Sequence, residues 1–273
     1  MTELEGKVAI VTGAGRMRSI GRSTALAMAR KGANMVITGT GRDPSTFIPD
    51  EKAAGWRDIQ SVKEEVEALG RRCLAMVVDV TREQQVQAMV DRTLAEFGRI
   101  DFLVNNAAYA VAGDRVPVVE LSEDLWHKVL EVKLTGVFLC SRAVARVLIS
   151  QKQGGSIVNL SSAAGKIGTA NAAAYSAANG GVQLFTMSLA RELGPHGITV
   201  NAVCPGSFDT SRNDAKGSDT AVKVPRPSVE SIPLRRRGHP DEIGEFIAWL
   251  CTPTASYITG QSLNFNGGRV MEH

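Results

Sequence analysis

Short apolar runs alternate with longer amphipathic stretches along the whole chain, and this alternation constrains the fold more than any other feature. Short runs of mostly apolar residues are typical of strands that are covered on both faces, as in a parallel sheet. The strands predicted in this way are Val8–Val11, Asn34–Thr38, Cys73–Val78, Ile100–Val104, Ser156–Leu160, Ile198–Val203 and Ser262–Phe265. The helical periodicity between them predicts helices over residues 21–31, 59–69, 84–97, 122–150, 172–193 and 241–250.

This order of elements predicts an α/β protein with a doubly wound, Rossmann-like fold, in which helices flank a mostly parallel sheet. The 273 residues contain no internal repeat and no linker-like change of composition, so we expect residues 1–273 to form a single domain. Residues 40–58, which contain Pro44 and Pro49, are expected to form an extended polar loop. Ligands of such folds bind beyond the carboxyl ends of the strands.

Composition and charge exclude several classes of function. The net charge of +3 is too small and too dispersed for a nucleic-acid or anionic-membrane surface. The apolar runs are far shorter than the roughly 18 residues of a membrane span, and the N-terminus does not resemble a signal peptide. Four cysteines without a CxxC pair and four scattered histidines indicate neither a disulfide framework nor a metal site. We therefore expect a cytoplasmic protein that acts on a small molecule.

A glycine-rich turn joins the first predicted strand to the first predicted helix, with the sequence Gly13-Ala14-Gly15-Arg16-Met17-Arg18-Ser19-Ile20-Gly21. Glycine lets the backbone approach a pyrophosphate, which then meets the free N–H groups of the helix N-terminus. The strict G-x-G-x-x-G spacing fails, because its last position is Arg18. The turn therefore indicates dinucleotide binding through Gly13, Arg16, Ser19, Ile20 and Gly21, or else is an ordinary connection between a strand and a helix.

Further motifs along the chain identify a family. They are Thr12-Gly13, Asp79-Val80, Asn105-Asn106-Ala107, Ser162, Tyr175, Pro205-Gly206 with Thr210, and Tyr257-Ile258-Thr259-Gly260. In this order, and with Tyr175 following Ser162 by 13 positions, the chain resembles the short-chain dehydrogenases/reductases over essentially its whole length. The resemblance implies that Asp79 and Val80 contact the adenine, that Asn105 and Ala107 line the adenosine ribose, and that Gly206 and Thr210 hold the nicotinamide carboxamide. The glycine loop is two residues longer than usual and resembles that of the enoyl-reductase branch, although the Tyr-x6-Lys pair of that branch is absent because its second position is Val182.

The residues after the second predicted strand bear on the choice between NAD and NADP. A carboxylate there would bind the ribose 2′-hydroxyl, whereas a 2′-phosphate needs basic or hydroxyl groups. The acidic position of the family corresponds to Gly39, followed by Thr40, Gly41 and Arg42, and no carboxylate occurs before Asp43. The arginines that could reach a phosphate are Arg16, Arg18 and Arg42. We therefore expect NADP to be preferred and NAD to be possible, unless these arginines are simply solvated.

The catalytic residues of the family are altered in this chain. By resemblance, Tyr175 transfers the proton and Ser162 holds the substrate oxygen. The lysine expected four residues after the tyrosine is Asn179, and the asparagine expected on a neighbouring helix is Lys133. A tyrosine with the usual pKa of about 10 needs a nearby cation to act as a base near neutral pH. An asparagine amide carries no charge and cannot supply this effect.

The helix predicted over residues 122–150 suggests where that cation comes from. Lys133 occupies a row with Trp126, Leu130 and Val137 that is otherwise apolar. It either extends its amine past these neighbours to solvent or points into a polar cavity. We therefore interpret Lys133 as a relocated catalytic cation, with Asn179 bonding to ribose or water. The alternatives are a nucleotide-binding protein that has lost redox catalysis and a lyase or hydratase on the same fold.

The expected activity is hydride transfer between NAD(P) and a small ketone or secondary alcohol. If no effective cation is present, carbonyl reduction should survive better than alcohol oxidation, because reduction needs only the protonated tyrosine. Residues 207–233 occupy the position of the family's substrate lid and are polar. Asp114 and Arg115 are expected to pair on the surface, and Arg235–Arg237 are expected to be solvated or to lie at an interface. By resemblance we also expect a homotetramer or a homodimer.

Overall fold

Seven parallel strands form one sheet in the computed structural model, which describes residues 3–109, 112–211 and 228–272. The strands are β1 Val8–Val11, β2 Asn34–Gly39, β3 Cys73–Val77, β4 Phe102–Asn105, β5 Gly155–Leu160, β6 Ile198–Pro205 and β7 Ser262–Phe265. Their order across the sheet is β3-β2-β1-β4-β5-β6-β7, and every neighbouring pair is parallel. The predicted doubly wound α/β fold is confirmed.

Helices cover both faces of this sheet. They are α1 Ile20–Arg30, α2 Pro49–Ala53, α3 Ile59–Ala68, α4 Glu83–Phe97, α5 Glu123–Leu130, α6 Gly136–Gln151, α7 Ala164–Ile167, α8 Ala173–Leu193 and α9 Pro240–Leu250. Short 3-10 turns occur at Pro44–Thr46, Ala112–Asp114, Val118–Glu120, Gly194–His196, Val229–Ser231 and Pro253–Ala255. The predicted ends of most elements agree with the structure to within two residues.

Two large clusters of buried apolar side chains form the core, one on each face of the sheet, and a third, smaller cluster contains Val129, Ala174 and Ala178. In β1, Ala9 and Val11 belong to one cluster, whereas Val8 and Ile10 belong to the other. This alternation follows from the two-residue repeat of a strand and explains why the run is apolar throughout. The sequence order of the strands reverses between β1 and β4, and the connections after these two central strands part there to leave a crevice.

Residues 40–58 depart from the predicted extended polar loop. They contain the 3-10 turn Pro44–Thr46 and helix α2, and the side chains of Phe47 and Ile48 are buried. Glu51 on α2 is buried completely, at 0% exposure. The segment therefore packs against the body of the domain, and the expectation of a polar loop was wrong because two apolar residues between the prolines dock inward.

A π-helical turn interrupts the long helix predicted over residues 122–150. The chain runs from α5 through the π turn Glu131–Thr135 into α6. Ser122 caps the start of α5 as predicted, since its hydroxyl accepts a hydrogen bond from the backbone N–H of Leu125 at 3.3 Å. A π turn inserts one residue into the helical repeat and often marks a functional position. Here it contains Lys133.

No helix within residues 3–109, 112–211 and 228–272 is both long enough and apolar enough to cross a membrane.

The four cysteine thiols are free and buried, and we expect them to resist modification in the folded protein. Burial raises the pKa of Cys73, Cys140 and Cys251 to about 12, and it also raises the pKa of Cys204. Because only the thiolate is nucleophilic, the reactive fraction stays minute at neutral and mildly alkaline pH. Titration with a chromogenic disulfide reagent should find almost no reactive thiol in the native protein and four in guanidinium chloride. Rapid labelling of native protein would contradict the burial.

Candidate active site

A cleft of about 680 Å³ opens at the carboxyl ends of the strands, where the turns after β1 and β4 part. We call it the cofactor cleft. One end is formed by the turn after β1, by Thr40 and by Asp79. The other end contains Ser162 and Tyr175. This is the position at which doubly wound folds bind their ligands.

The turn after β1 is held against the turn after β4 by a set of hydrogen bonds. The hydroxyl of Thr12 accepts from the backbone N–H groups of Asn106 and Ala107 at 3.0 and 3.1 Å. The side-chain amide of Asn106 donates to the carbonyl oxygens of Thr12 and Gly13 at 2.8 and 2.9 Å. Gly13 has a φ of +68°, and a Cβ atom there would lie 2.8 Å from the Cα of Ala107. Only glycine allows this approach.

The N-terminus of α1 opens into the same cleft. Ser19 is its N-cap and accepts a hydrogen bond from the backbone N–H of Arg22 at 3.2 Å. The preceding turn lines the cleft with glycines and backbone groups, as a pyrophosphate requires. The cleft therefore fits a dinucleotide, and the chain's own residues would hold the phosphates at this end.

Most of the residues predicted to bind the cofactor line this cleft. They are Gly13, Arg16, Ser19, Ile20, Thr40, Arg42, Asp79, Val80, Ala107, Gly206 and Thr210. Gly21 and Asn105 lie outside its lining. Gly21 instead lets α1 approach the amide of Asn106, because a Cβ atom there would lie 2.5 Å from its Nδ2. Asn105 is buried and donates to Ser141 and Asn159 at 2.9 and 2.8 Å, which makes it a structural residue.

Two of the three arginines expected to reach a 2′-phosphate are engaged with carboxylates. Arg18 contacts Asp50 at 2.8 Å. Arg42 contacts Glu51 at 2.9 Å and Asp58 at 3.0 Å. Asp58 belongs to the segment 40–58 and lines the cleft, so a carboxylate does reach this end. The sequence could not indicate it, because Asp58 follows β2 by 19 positions.

The predicted catalytic residues Ser162, Tyr175 and Lys133 all line the other end of the cleft. Lys133 is 3% exposed, and its amine donates a hydrogen bond to the carbonyl oxygen of Leu160, the last residue of β5. Ser162 follows that strand by two positions, and its hydroxyl accepts from the backbone N–H of Ala164 at 3.2 Å. Of the two alternatives for Lys133, the structure therefore has the cavity and not the extension to solvent.

Asn179 lies outside the lining of the cleft. It is fully buried, and its side-chain N–H donates to the backbone carbonyl of Tyr175 at 2.8 Å. Its Oδ1 has no hydrogen-bond partner among the described residues. A buried acceptor of this kind calls for a water or a ligand group to satisfy it. The backbone carbonyl of Asn179 accepts from Ser161 at 2.9 Å, which joins α8 to the loop after β5.

Arg115, like Asp58, is a site residue that the sequence analysis missed. Its guanidinium carbon lies 4.0 Å from the centre of the Tyr175 ring, and its side chain is only 12% exposed. Asp114 pairs with it at 3.7 Å and is itself buried. Burial, and after it the charge of Asp114, raises the pKa of the nearby Tyr109. The two residues form the predicted pair, but the expectation that this pair lies on the surface was wrong. Nothing in the local sequence indicates that this loop folds back over α8.

The predicted lid, residues 207–233, is described only at its two ends. Ser207, Phe208 and Thr210 line the cleft, whereas residues 212–227 lie outside the described residues.

Beyond the lid, Arg236 forms a double hydrogen bond with Glu242 at 2.7 and 2.8 Å at the exposed start of α9. This contact and the backbone N–H of His239 lower the pKa of Glu242 to about 2. In the part of the chain that the structure describes, no group of His, Cys, Asp and Glu side chains could hold a metal ion.

Comparison with known proteins agrees with this geometry. A model of the enoyl-(acyl carrier protein) reductase family matches residues 13–269. A 3-oxoacyl-(acyl-carrier-protein) reductase from Synechocystis sp. is 39% identical over 272 residues, which cover 99% of this chain and 100% of the relative. A short chain dehydrogenase/reductase from Aspergillus oryzae is 38% identical over 97% of this chain and 95% of its own. The chain belongs to the short-chain dehydrogenase/reductase family.

Solved structures of this family superpose on the whole chain. Acetoin dehydrogenase from Enterobacter cloacae is 38% identical, with a TM-score of 0.79 and coverage of 98% of this chain and 96% of its own. Carveol dehydrogenase from Mycobacterium avium, solved in complex with NAD, is 28% identical, with a TM-score of 0.86 and full coverage of both chains. The protein is accordingly an NAD(P)-dependent oxidoreductase that acts on carbonyl or hydroxyl groups, as its motifs implied.

Replacing Thr12 by valine should loosen the junction between the two central turns. The substitution keeps the shape of the side chain but leaves the backbone N–H groups of Asn106 and Ala107 without their acceptor. We expect a loss of about 1–3 kcal/mol in the free energy of unfolding, measured with urea, together with weaker dinucleotide binding. Thr12→Ser keeps the hydroxyl and should behave like the wild type. Equal stability of the valine variant would mean that the junction does not depend on these bonds.

Proposed function

We propose that this enzyme interconverts a small ketone and a secondary alcohol, with Tyr175 as the proton donor in reduction and the proton acceptor in oxidation. The observation that carries the proposal is the burial of the Lys133 side chain in the cleft that also contains Ser162 and Tyr175. An amine is costly to bury and is retained in such a position where its charge or its hydrogen bonds are used. In this proposal the lysine and the asparagine of the family are both used, with Lys133 and Asn179 in exchanged positions.

The glycine turn after β1 and Thr210 would hold the dinucleotide, which would supply the hydride in reduction and accept it in oxidation. The chain's own groups orient the substrate and move the proton. The Ser162 hydroxyl donates a hydrogen bond to the substrate oxygen, and the Tyr175 hydroxyl delivers a proton to that oxygen or removes one from it. A proton transfer of this kind by a positioned side chain contributes roughly 10²–10⁴-fold to the rate.

The charge of Lys133 has a defined task in this scheme. A nearby cation favours the phenolate over the phenol, so it makes Tyr175 a better base for alcohol oxidation. Arg115 adds a second positive charge over the ring of Tyr175, at 4.0 Å from its centre. With Arg115 over the ring and Lys133 in the same cleft, we expect alcohol oxidation to proceed as well as carbonyl reduction, which a neutral Asn179 alone would not lead us to expect.

Asn179 is the remaining residue of the proposed site, and it is buried outside the lining of the cleft. Its side-chain oxygen is buried without a partner among the described residues, and it lies one helical turn after Tyr175. We propose that a water molecule or a ribose hydroxyl donates to this oxygen. The neutral amide would then hold a position in the proton relay, while Lys133 supplies the charge.

Three observations support the small carbonyl substrate. The relatives include a 3-oxoacyl-(acyl-carrier-protein) reductase, and the similar structures include an acetoin dehydrogenase. Arg115, Lys133 and Arg269 contribute cationic side chains to the lining of the cleft. The four unpaired, buried cysteines also support a reducing, cytoplasmic location.

Turnover of NADH or NADPH against a panel of ketones tests the activity. Tight cofactor binding without any turnover would favour the nucleotide-binding or lyase alternatives.

Replacing Lys133 by methionine should separate catalysis from folding. The substitution keeps the approximate length of the side chain and removes the buried amine together with its hydrogen bond to Leu160. We expect kcat/KM to fall roughly 10²–10³-fold, while the lost hydrogen bond lowers the free energy of unfolding by only about 1–3 kcal/mol and leaves the protein folded. For the remaining alcohol oxidation, the rise of the rate with pH should move to higher pH, since the phenolate has lost a cation. Turnover like that of the wild type would refute the role of Lys133.

The paired reversal K133N/N179K provides the matched control. It returns the lysine and the asparagine to the positions that the family uses, without changing composition. If Lys133 acts by supplying charge to Tyr175, the double variant should recover most of the activity that Lys133→Asn loses. No recovery in a folded double variant would mean that Lys133 has a different task.

The proposed oligomer has a candidate interface on α6 and α8. Both helices carry exposed apolar side chains, namely Phe138 at 39%, Leu184 at 68% and Met187 at 42% exposure. Phe138 also meets Phe185 edge to face at 6.3 Å between ring centres. We propose a homotetramer or a homodimer that covers this surface, because an exposed apolar patch is a typical site of protein contact.

Replacing Leu184 by arginine should lower the mass of the particle. Burying an unpaired charge in the centre of an apolar interface costs on the order of several kcal/mol of association free energy. The subunits should therefore separate. Sedimentation velocity measures the outcome, and Leu69→Arg, at an exposed apolar residue on the end of α3, should leave the mass unchanged. A monomeric wild type, or a Leu184→Arg variant with the mass of the wild type, would overturn the proposed interface.

A further inference from the structure

The adenosine end of the cofactor cleft contains an acidic side chain from an unexpected element. We propose that Asp58 binds the hydroxyls of the adenosine ribose and makes the enzyme prefer NAD to NADP, which reverses the preference expected from the sequence. This inference rests on the proposed function, since it concerns the cofactor of the same reaction. It assigns to the segment 40–58 the task that a carboxylate at the end of β2 would otherwise perform.

The position of the carboxylate is the first support. A Cβ atom built on Gly15 would lie 1.9 Å from Oδ1 of Asp58, so the carboxylate packs directly against the glycine turn. A Cβ atom on Gly39, at the end of β2, would lie 3.4 Å from Oδ2. The side chain is 9% exposed and lines the cleft. Asp58 thus lies between the ends of β1 and β2, beside the position where the family's acidic residue would stand.

The hydrogen bonds of the carboxylate leave room for a ligand hydroxyl. Arg42 donates from Nε and Nη2 to Oδ1 of Asp58, at 3.2 and 3.0 Å. Among the described residues, the other oxygen, Oδ2, accepts only a long bond from the backbone N–H of Arg42, at 3.4 Å. A carboxylate has about four acceptor positions, so Oδ2 can accept from a ribose hydroxyl without losing its present contacts.

The charges around Asp58 disfavour a 2′-phosphate. The guanidinium of Arg42 lies between Asp58 and the fully buried Glu51, so two carboxylates face one cation. Arg18 contacts Asp50. Arg16 lines the same end of the cleft as Asp58. A 2′-phosphate bound next to the Asp58 carboxylate would be repelled by its like charge, whereas the two ribose hydroxyls of NAD are hydrogen-bond donors.

The segment that carries Asp58 is fixed to the glycine turn. The indole N–H of Trp56 donates to the carbonyl oxygen of Gly15 at 2.7 Å, and the backbone N–H of Met17 donates to Glu51 at 3.0 Å. Asp58 itself has a φ of +54° and a ψ of −130°, a backbone conformation that residues other than glycine rarely adopt. Its backbone is therefore held in an uncommon conformation that directs the carboxylate to the cleft.

Direct binding measurements test the inference without any substrate. The purified protein is titrated with NADH and with NADPH, and tryptophan fluorescence is followed, because Trp56 contacts the glycine turn. We expect the wild type to bind NADH roughly 10- to 100-fold more tightly than NADPH, as hydrogen bonds to a charged group predict. Asp58→Asn keeps the size and shape of the side chain and removes its charge, so it should abolish most of this preference by weakening NADH binding.

Controls separate the possible outcomes. Asp43→Asn removes an exposed carboxylate of the same segment and should leave the ratio unchanged. Asp58→Gly relieves the positive φ and replaces Asp58→Asn if that variant does not fold. Tighter binding of NADPH by the wild type, an unchanged ratio in both Asp58 variants, or no binding of either dinucleotide would overturn the inference. If the NADH preference is found but no ketone is turned over, the proposed function fails and the assignment of Asp58 stands.

Discussion

The hydrogen bonds between Thr12 and Asn106 join the two central turns, and the geometry of the cleft depends on them. The turns after β1 and β4 lead to opposite faces of the sheet and so diverge. At the base of the cleft, however, the two backbones must stay in contact. One hydroxyl and one amide achieve this closure by satisfying two N–H groups and two carbonyl groups of the backbone. The positive φ of Gly13 follows from this closeness, as does the open N-terminus of α1 beyond it.

Charge is distributed within the cleft in a way that matches its two ends. Asp58 and Asp79 lie at the end formed by β1, β2 and β3, whereas Lys133 and Arg115 accompany Tyr175 at the other end. Both sets reach the cleft from elements that are distant in sequence from the residues they serve. The chemistry of the cleft depends on the sign and the position of these charges. The same charge can be placed there by residues from different elements of the fold.

The sequence predicted the fold well because its signals are local. The apolar run Val8–Val11 must be covered on both faces, and the N-cap Ser122 marks a helix start without reference to any distant residue. The inward position of Lys133 was also predictable, from the apolar row that it shares with Leu130 and Val137. The course of residues 40–58 was not, because the docking of Phe47 and Ile48 depends on surfaces that only the folded domain provides.

The same limit explains the errors at the site. Arg115 was expected on the surface, since nothing in its own segment indicates the tyrosine ring that it covers in the structure. The two carboxylate partners of Arg42 were also missed, because they lie 9 and 16 positions away along the chain. A pattern that spans one helix or one strand can be predicted from sequence. A contact between two irregular segments cannot, because neither has a periodicity that fixes its orientation.

The π turn at Glu131–Thr135 adds one residue between two helical segments whose packing faces are otherwise independent. Val129 in α5 packs with Ala174 and Ala178, whereas Leu139 and Leu148 in α6 belong to the core beneath the sheet. One residue corresponds to about 100° of helical rotation. Loss of a single residue from this turn would therefore rotate α5 relative to α6, so that only one of the two helices could keep its packing face. The number of residues in this segment is constrained for this reason, whatever their identity.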